Sequence, residues 1–152
     1  MSISTNAEDY GNNESLELVW AEKTFKHAEV YFNLLCAVQD PKFMRLTASD
    51  DAIYNKFREE FKDFEVGNIV EDTLKRSEAK AKWRNFCDQF KNVPDFNFGT
   101  LLRLDSEGEY NEKNTTIAPR IQFLAIELAR NREGYNMGLG KKYKPSPAEE
   151  TI

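Results

Sequence analysis

The chain reads as all-α: a single-domain compact helical bundle of about four to six helices with disordered termini. Two observations carry this. Apolar residues recur at helical spacing in four separate segments. No two segments alternate well enough to pair as strands, and a lone strand would have no ladder partner. The length of 152 residues suits one domain with tails, large enough for a core without disulfide or metal staples.

Residues 1–13 are polar and acidic and read as a disordered lead-in, leaving a helical domain over 14–136. From Glu14 to Val38 two stripes adjoin. One holds Trp20, His27, Tyr31, Leu34 and Val38; the other holds Ala21, Phe25, Ala28, Phe32 and Leu35. Such a wide stripe suits a helix with two neighbours, and Asp40-Pro41 ends it. Thr47 with Asp50 resembles a capping box ahead of a second helix bearing Ile53, Tyr54, Phe57 and Phe61. Ile69–Leu74 fits either a short helix or an extended connector. A third helix after Ser77 turns Ala79, Trp83, Phe86 and Phe90 inward, and Pro94 stops it.

Phe96–Leu104 could be a strand, but for want of a partner it is expected to be a helical turn or short helix. Asp105–Lys113 reads as a polar loop. Thr115 or Thr116 then caps the last helix, Ile117–Gly134, with Pro119 tolerated in its first turn and Gly134 as its C-terminal cap. Ile117, Ile121, Leu124 and Leu128 line one face of that helix, and Phe123 and Ile126 extend the apolar character round it. It is therefore expected at the centre of the core. Arg120, Glu127 and Asn131 nevertheless draw a polar seam along it. A seam of this kind is either hydrogen-bonded within the fold or offered to a partner; Arg103 and Asp105 are candidate internal partners. Residues 137–152 have the composition of a flexible tail.

The formal charge of −5 disfavours a nucleic-acid binder, which normally shows a basic face. Lys141-Lys142-Tyr143-Lys144 is a small basic cluster that reads first as solvated tail. No stretch approaches the ~18 apolar residues of a membrane span, and Met1 to Leu18, without Lys, Arg or a long apolar run, is not expected to be a signal peptide. The expected compartment is the cytosol, shared or not with the nucleus, and Cys36 and Cys87 read as reduced core residues. His27 is the only histidine and reads as a core residue; no cysteine lies at zinc-ligand spacing from it. A phosphate-binding loop is missing. Catalytic residues, metal and cofactors are all expected to be absent.

Four segments carry a resemblance: DDAIYNKFREEF (50–61), AKAKWRNF (79–86), DFNFGTLLRLD (95–105) and APRIQFLAIELARNREGYN (118–136). With HAEVYF (27–32) and Tyr10-Gly11-Asn12, they resemble the polysaccharide-biosynthesis-domain-containing protein family. The resemblance implies a small all-α fold and a dedicated co-translational chaperone for nascent elongation factor 1-alpha. Such a chaperone works at the ribosome with the nascent polypeptide-associated complex and assists folding of the client's GTP-binding domain. The inherited family name implies instead an enzyme of polysaccharide synthesis, and the basic cluster offers a third class, a ribosome- or RNA-associated adaptor. On the chaperone reading the client meets Phe96, Phe98, Arg103, Arg120, Glu127, Arg130 and Asn131, because aromatics and arginine dominate interface energies.

Overall fold

The computed structural model describes residues 14–143. The expected lead-in over 1–13 and the tail residues from Lys144 onward, Ser146-Pro147 among them, lie outside the described residues. Element order is α1 (Glu14–Ala37), α2 (Asp50–Glu60), α3 (Asp72–Lys75), α4 (Ser77–Asp88), β1 (Gly99–Arg103), β2 (Thr115–Pro119), α5 (Arg120–Glu133) and α6 (Leu139–Lys142). Short 3-10 turns at Pro41–Phe43 and Glu112–Asn114 join them.

The all-α expectation is overturned: the fold is α+β. Gly99–Arg103 pairs antiparallel with Thr115–Pro119, with Leu101 opposite Ile117 and Leu102 opposite Thr116. The partner that seemed missing was hidden in the residues assigned to a helix cap. Thr115, Thr116 and Ile117 are β-branched and suit a pleated, half-buried surface. Pro119, lacking an N–H, ends the strand, and the helix begins one residue later at Arg120. The hairpin was concealed by its connection, which is far longer than the usual two to five residues. Asn114 holds that loop: its side chain accepts from Asp105 N at 2.8 Å and donates to Asp105 O at 3.1 Å and Glu109 O at 3.0 Å.

α5 is central, with every residue from Ile121 to Asn131 buried. Gly134 closes it at φ 92°, where its N–H reaches the Arg130 carbonyl, a conformation glycine adopts without strain. α2 packs beside it, and α2 and α4 share an aromatic cluster. Phe61 stacks on Trp83 at 4.2 Å between centroids, and Phe57 and Phe86 close the group. Asp50 organises the start of α2 by accepting from Leu46 N and Thr47 N, both at 2.7 Å. This is half of the expected capping box, since Thr47 Oγ1 accepts from Ser49 N rather than from the third helical residue. The last three residues of the ambiguous stretch, 72–74, are helical as part of α3.

α1 is less buried than its two stripes suggest. Its covered face is Thr24, Ala28, Tyr31 and Leu35, spaced +4, +3, +4, while Phe25 is 63% and Leu34 50% exposed. The N-terminal half crosses β1, where Trp20 Nε1 and Thr24 Oγ1 donate to the Gly99 carbonyl. His27 is exposed on one side, not a core residue; its ring meets Tyr31 and Phe123. Burial of that inner edge, and then nearby Arg120, hold its pKa below the usual value.

The chain past Asn136 was expected to be tail, yet residues 139–142 form α6 with Leu139 buried. α6 lies so close to α1 that a Cβ at Gly140 would fall on the Cys36 carbonyl oxygen. Lys142 Nζ and Tyr143 Oη then reach the Glu107 carbonyl, so part of the basic cluster is tied to the body.

Candidate functional site

The polar seam is internal. Glu127 has no exposed surface, and its carboxylate sits between two guanidiniums that are also completely buried. Oε2 accepts from Arg130 Nη1 at 2.7 Å; Oε1 accepts from Tyr31 Oη at 2.7 Å, Asn136 Nδ2 at 3.1 Å and Arg103 Nη2 at 3.4 Å. Two buried cations to one anion leave a positive excess, which backbone carbonyls absorb. Arg103 donates to Ser106 O and Gly108 O, and Arg130 to Val66 O and Leu104 O. The Leu104 carbonyl also accepts from Ile69 N at 2.9 Å, but those of Val66, Ser106 and Gly108 lie in connectors, where the arginines supply hydrogen bonds that secondary structure does not. Asn136 joins the arrangement by accepting from Arg103 at 2.8 Å and donating to Asn131 Oδ1 at 2.6 Å.

Electrostatics follow the geometry. Burial alone would raise the Glu127 pKa, but Arg103 and Arg130 outweigh it and hold the carboxyl at about 2. Burial and the Glu127 charge push the Tyr31 phenol well up, so it stays a neutral donor. The Arg103 guanidinium also lies against the rings of Phe32, at 5.3 Å, and Tyr110, at 5.9 Å. That placement is a cation–π contact with the desolvation that strengthens it.

Four of the seven expected client-binding residues are therefore in the wrong place for a partner. Arg103, Glu127 and Arg130 have no exposed surface and Asn131 is 2% exposed. Apart from the Arg103 Nε, which is buried without a hydrogen-bond partner, their polar groups bond inside the fold. Arg120, the seam's first member, stands apart and donates to the Pro94 carbonyl at 2.6 Å. Phe98 is buried with Lys23 Nζ 5.1 Å from its ring centroid, and Phe96 is half-buried against the core. Phe98 and Arg120 share a small groove of about 330 Å³ with Lys23 and His27. Tyr31 and Asn136 complete the network without having been anticipated. Tyr31 was legible only as a core aromatic, and no local spacing links it to Glu127, 96 residues away.

An open groove lies elsewhere, between α1 and the long hairpin loop. It encloses about 500 Å³. Phe25, Ala28, Phe32, Leu101 and Tyr110 give it apolar walls. Phe32 and Tyr110 meet edge to face at 5.9 Å, and the Tyr110 hydroxyl donates to Leu101 O at 3.2 Å, which fixes the floor. Glu29, Glu109 and Glu112 form the rim. Glu29 pairs with Lys26 in an exposed contact of little energetic weight. Glu109 and Glu112 make no ion pair among the described residues. An apolar floor within a rim on which Glu109 and Glu112 stay unpaired suits an apolar segment flanked by basic residues.

Neither cysteine is placed for chemistry. Cys36 and Cys87 are buried free thiols, and burial, with Asp88 nearby, pushes Cys87 up to about 12. Among the described residues no three His, Cys, Asp or Glu side chains converge as a metal site would need. No helix among them is long and apolar enough to cross a membrane.

Comparison with known proteins places the chain. A family model described as PBDC1 protein matches residues 16–140. Protein PBDC1 of Mus musculus is 48% identical over 150 residues, covering 98% of this chain and 75% of that protein. Protein PBDC1 of Homo sapiens is 52% identical over 136 residues, covering 89% of this chain and 58% of the human one. A Saccharomyces cerevisiae protein solved by solution NMR superposes with a TM-score of 0.79 at 39% identity, covering 91% of this chain and 97% of that one. The chain belongs to the PBDC1 family, the polysaccharide biosynthesis domain-containing proteins that its motifs resemble.

Proposed function

We propose that this protein is a binding chaperone rather than an enzyme, and that its client is newly made elongation factor 1-alpha, engaged at the ribosome with the nascent polypeptide-associated complex. The family resemblance supplies the client. The observation that carries the binding role is the α1–hairpin groove, with Phe25 63% exposed at its edge and an acidic rim around it. A side chain of that size left in water beside a preformed aromatic floor is what an interface anchor needs. The client surface is accordingly moved from the polar seam to this groove. The seam keeps a different task, which is to hold α1, β1, the hairpin loop and α5 in one rigid body so that the groove is preformed.

Enzymatic sugar transfer would call for convergent carboxylates or a nucleotide-phosphate cradle. The titratable groups that the fold gathers are instead spent on each other. Pull-down with the full chain from a translating lysate, read by mass spectrometry, tests the proposal. The expected result is enrichment of newly made elongation factor 1-alpha over its mature pool. Enrichment of a sugar-nucleotide pathway, or of ribosomal RNA without that client, would overturn it.

A further inference from the structure

A second groove, beside β2 and α4, carries the reverse charge. It encloses about 700 Å³. Ile117, Phe96 and Pro119 contribute its apolar surface, and Ile117 is 44% exposed. Lys75, Lys80, Arg84 and Lys91 surround it, against the single carboxylate of Asp88. Lys75 donates to the Ile117 carbonyl at 3.0 Å. Lys80, Arg84 and Lys91 make no ion pair among the described residues. In a chain with 26 acidic and 21 basic residues, three unpaired cations on one groove are an uneven distribution that solubility does not require.

We infer that this groove binds an extended acidic peptide segment, with carboxylates at alternate positions followed by an apolar residue. The spacing argument is direct. Lys80 and Arg84 lie four residues apart on α4, about 6 Å along the helix axis. Residues two apart on an extended chain are about 6.6 Å apart and face the same way. Two carboxylates in the pattern acid-x-acid therefore meet Lys80 and Arg84 in register, and an apolar side chain two positions further falls toward Ile117. Charge complementarity of this kind steers encounter and fixes register.

Nucleic acid fits less well. Single strands bind on exposed aromatic platforms, yet Trp83, the largest ring on the groove wall, is only 4% exposed. The exposed apolar group is aliphatic, and the overall charge of −5 opposes a polyphosphate approaching from a distance. This inference does not rest on the client reading, since it concerns a different groove and a partner of opposite charge.

Fluorescence anisotropy with the full chain tests it. The probe is fluorescein-labelled Glu-Ser-Glu-Ser-Leu-Ser-Glu, compared with Glu-Glu-Ser-Ser-Glu-Leu-Ser, which has the same composition but no two carboxylates at alternate positions, and with a labelled single-stranded RNA. The alternating peptide is expected to bind saturably and to weaken as salt rises. Lys80→Glu with Arg84→Glu should weaken it about tenfold or more, and Ile117→Ser should weaken it without any change of charge. Lys62→Glu with Lys113→Glu, an equal charge change away from the groove, should leave it unaltered. All variants are checked for an unchanged thermal midpoint. The inference is overturned by equal binding of the two peptides, by equal loss in the control variant, by RNA binding that displaces the peptide, or by no saturable binding up to millimolar peptide.

Discussion

Glu127 has no exposed surface and shares its charge with two arginines, and this makes its removal more costly than its addition was beneficial. Glu127→Gln keeps the shape but leaves Arg103 and Arg130 facing each other in the interior. Breaking a buried pair by removing one partner typically costs about 3–5 kcal/mol, and urea unfolding at neutral pH should register a loss of that size. The pH dependence has a definite sign. The folded pKa of about 2 lies below the ordinary value of 4.5, so the contribution is complete above the unfolded pKa. It fades as pH falls from there through about 2. The stability gap between wild type and Glu127→Gln should therefore narrow across that window, and a constant gap would show that Glu127 does not titrate as the geometry requires. Part of this was legible. Arg103 and Glu127 stand out as polar residues between apolar flanks, and pairing was one of two readings open to them. Tyr31 and Asn136 were not legible, because their roles depend on contacts across the chain that no helical period encodes.

At the level of elements, α5 was readable from its apolar pattern and the hairpin was not. Leu124 is 2% exposed within α5, and Leu124→Ala should cost about 2–5 kcal/mol in chemical denaturation, as buried large-to-small changes do. β1 and β2 escaped because each is five residues long, one carries buried side chains throughout, and a ten-residue loop separates Leu104 from Thr115. Alternation is the signal of a strand with one wet face, and β1 has none. α6 escaped for a different reason: its four residues have the composition of a tail, and only contact with α1 gives them a fold. Gly140 is the test. A methyl group there meets the Cys36 carbonyl, which is backbone and cannot swing aside. Gly140→Ala should therefore detach α6 from α1, at a cost of about 1–3 kcal/mol. Loss of the ring contact between Tyr143 and Phe32, seen in aromatic NMR shifts, would report it. An unchanged Tyr143 environment would contradict the docking.

For the molecule as a whole, the buried network and the open grooves divide the work. The network ties connectors to α5 and spends the interior's charge, so the polar residues that looked available for a partner are not. What faces solvent includes an acidic-rimmed aromatic groove beside α1 and a basic-rimmed one beside α4. Resemblance and comparison agree on the PBDC1 family, while the positions of both grooves depend on the hairpin that the sequence concealed. The decisive measurement is capture of newly made elongation factor 1-alpha by Phe25→Asp, beside wild type, in one translating lysate. Phe25 is mostly exposed, so the variant's unfolding free energy should stay within about 0.5 kcal/mol of wild type, as for ordinary surface changes. The account predicts that this folded variant loses most of its client capture. Undiminished capture by Phe25→Asp, with the fold intact, would contradict it.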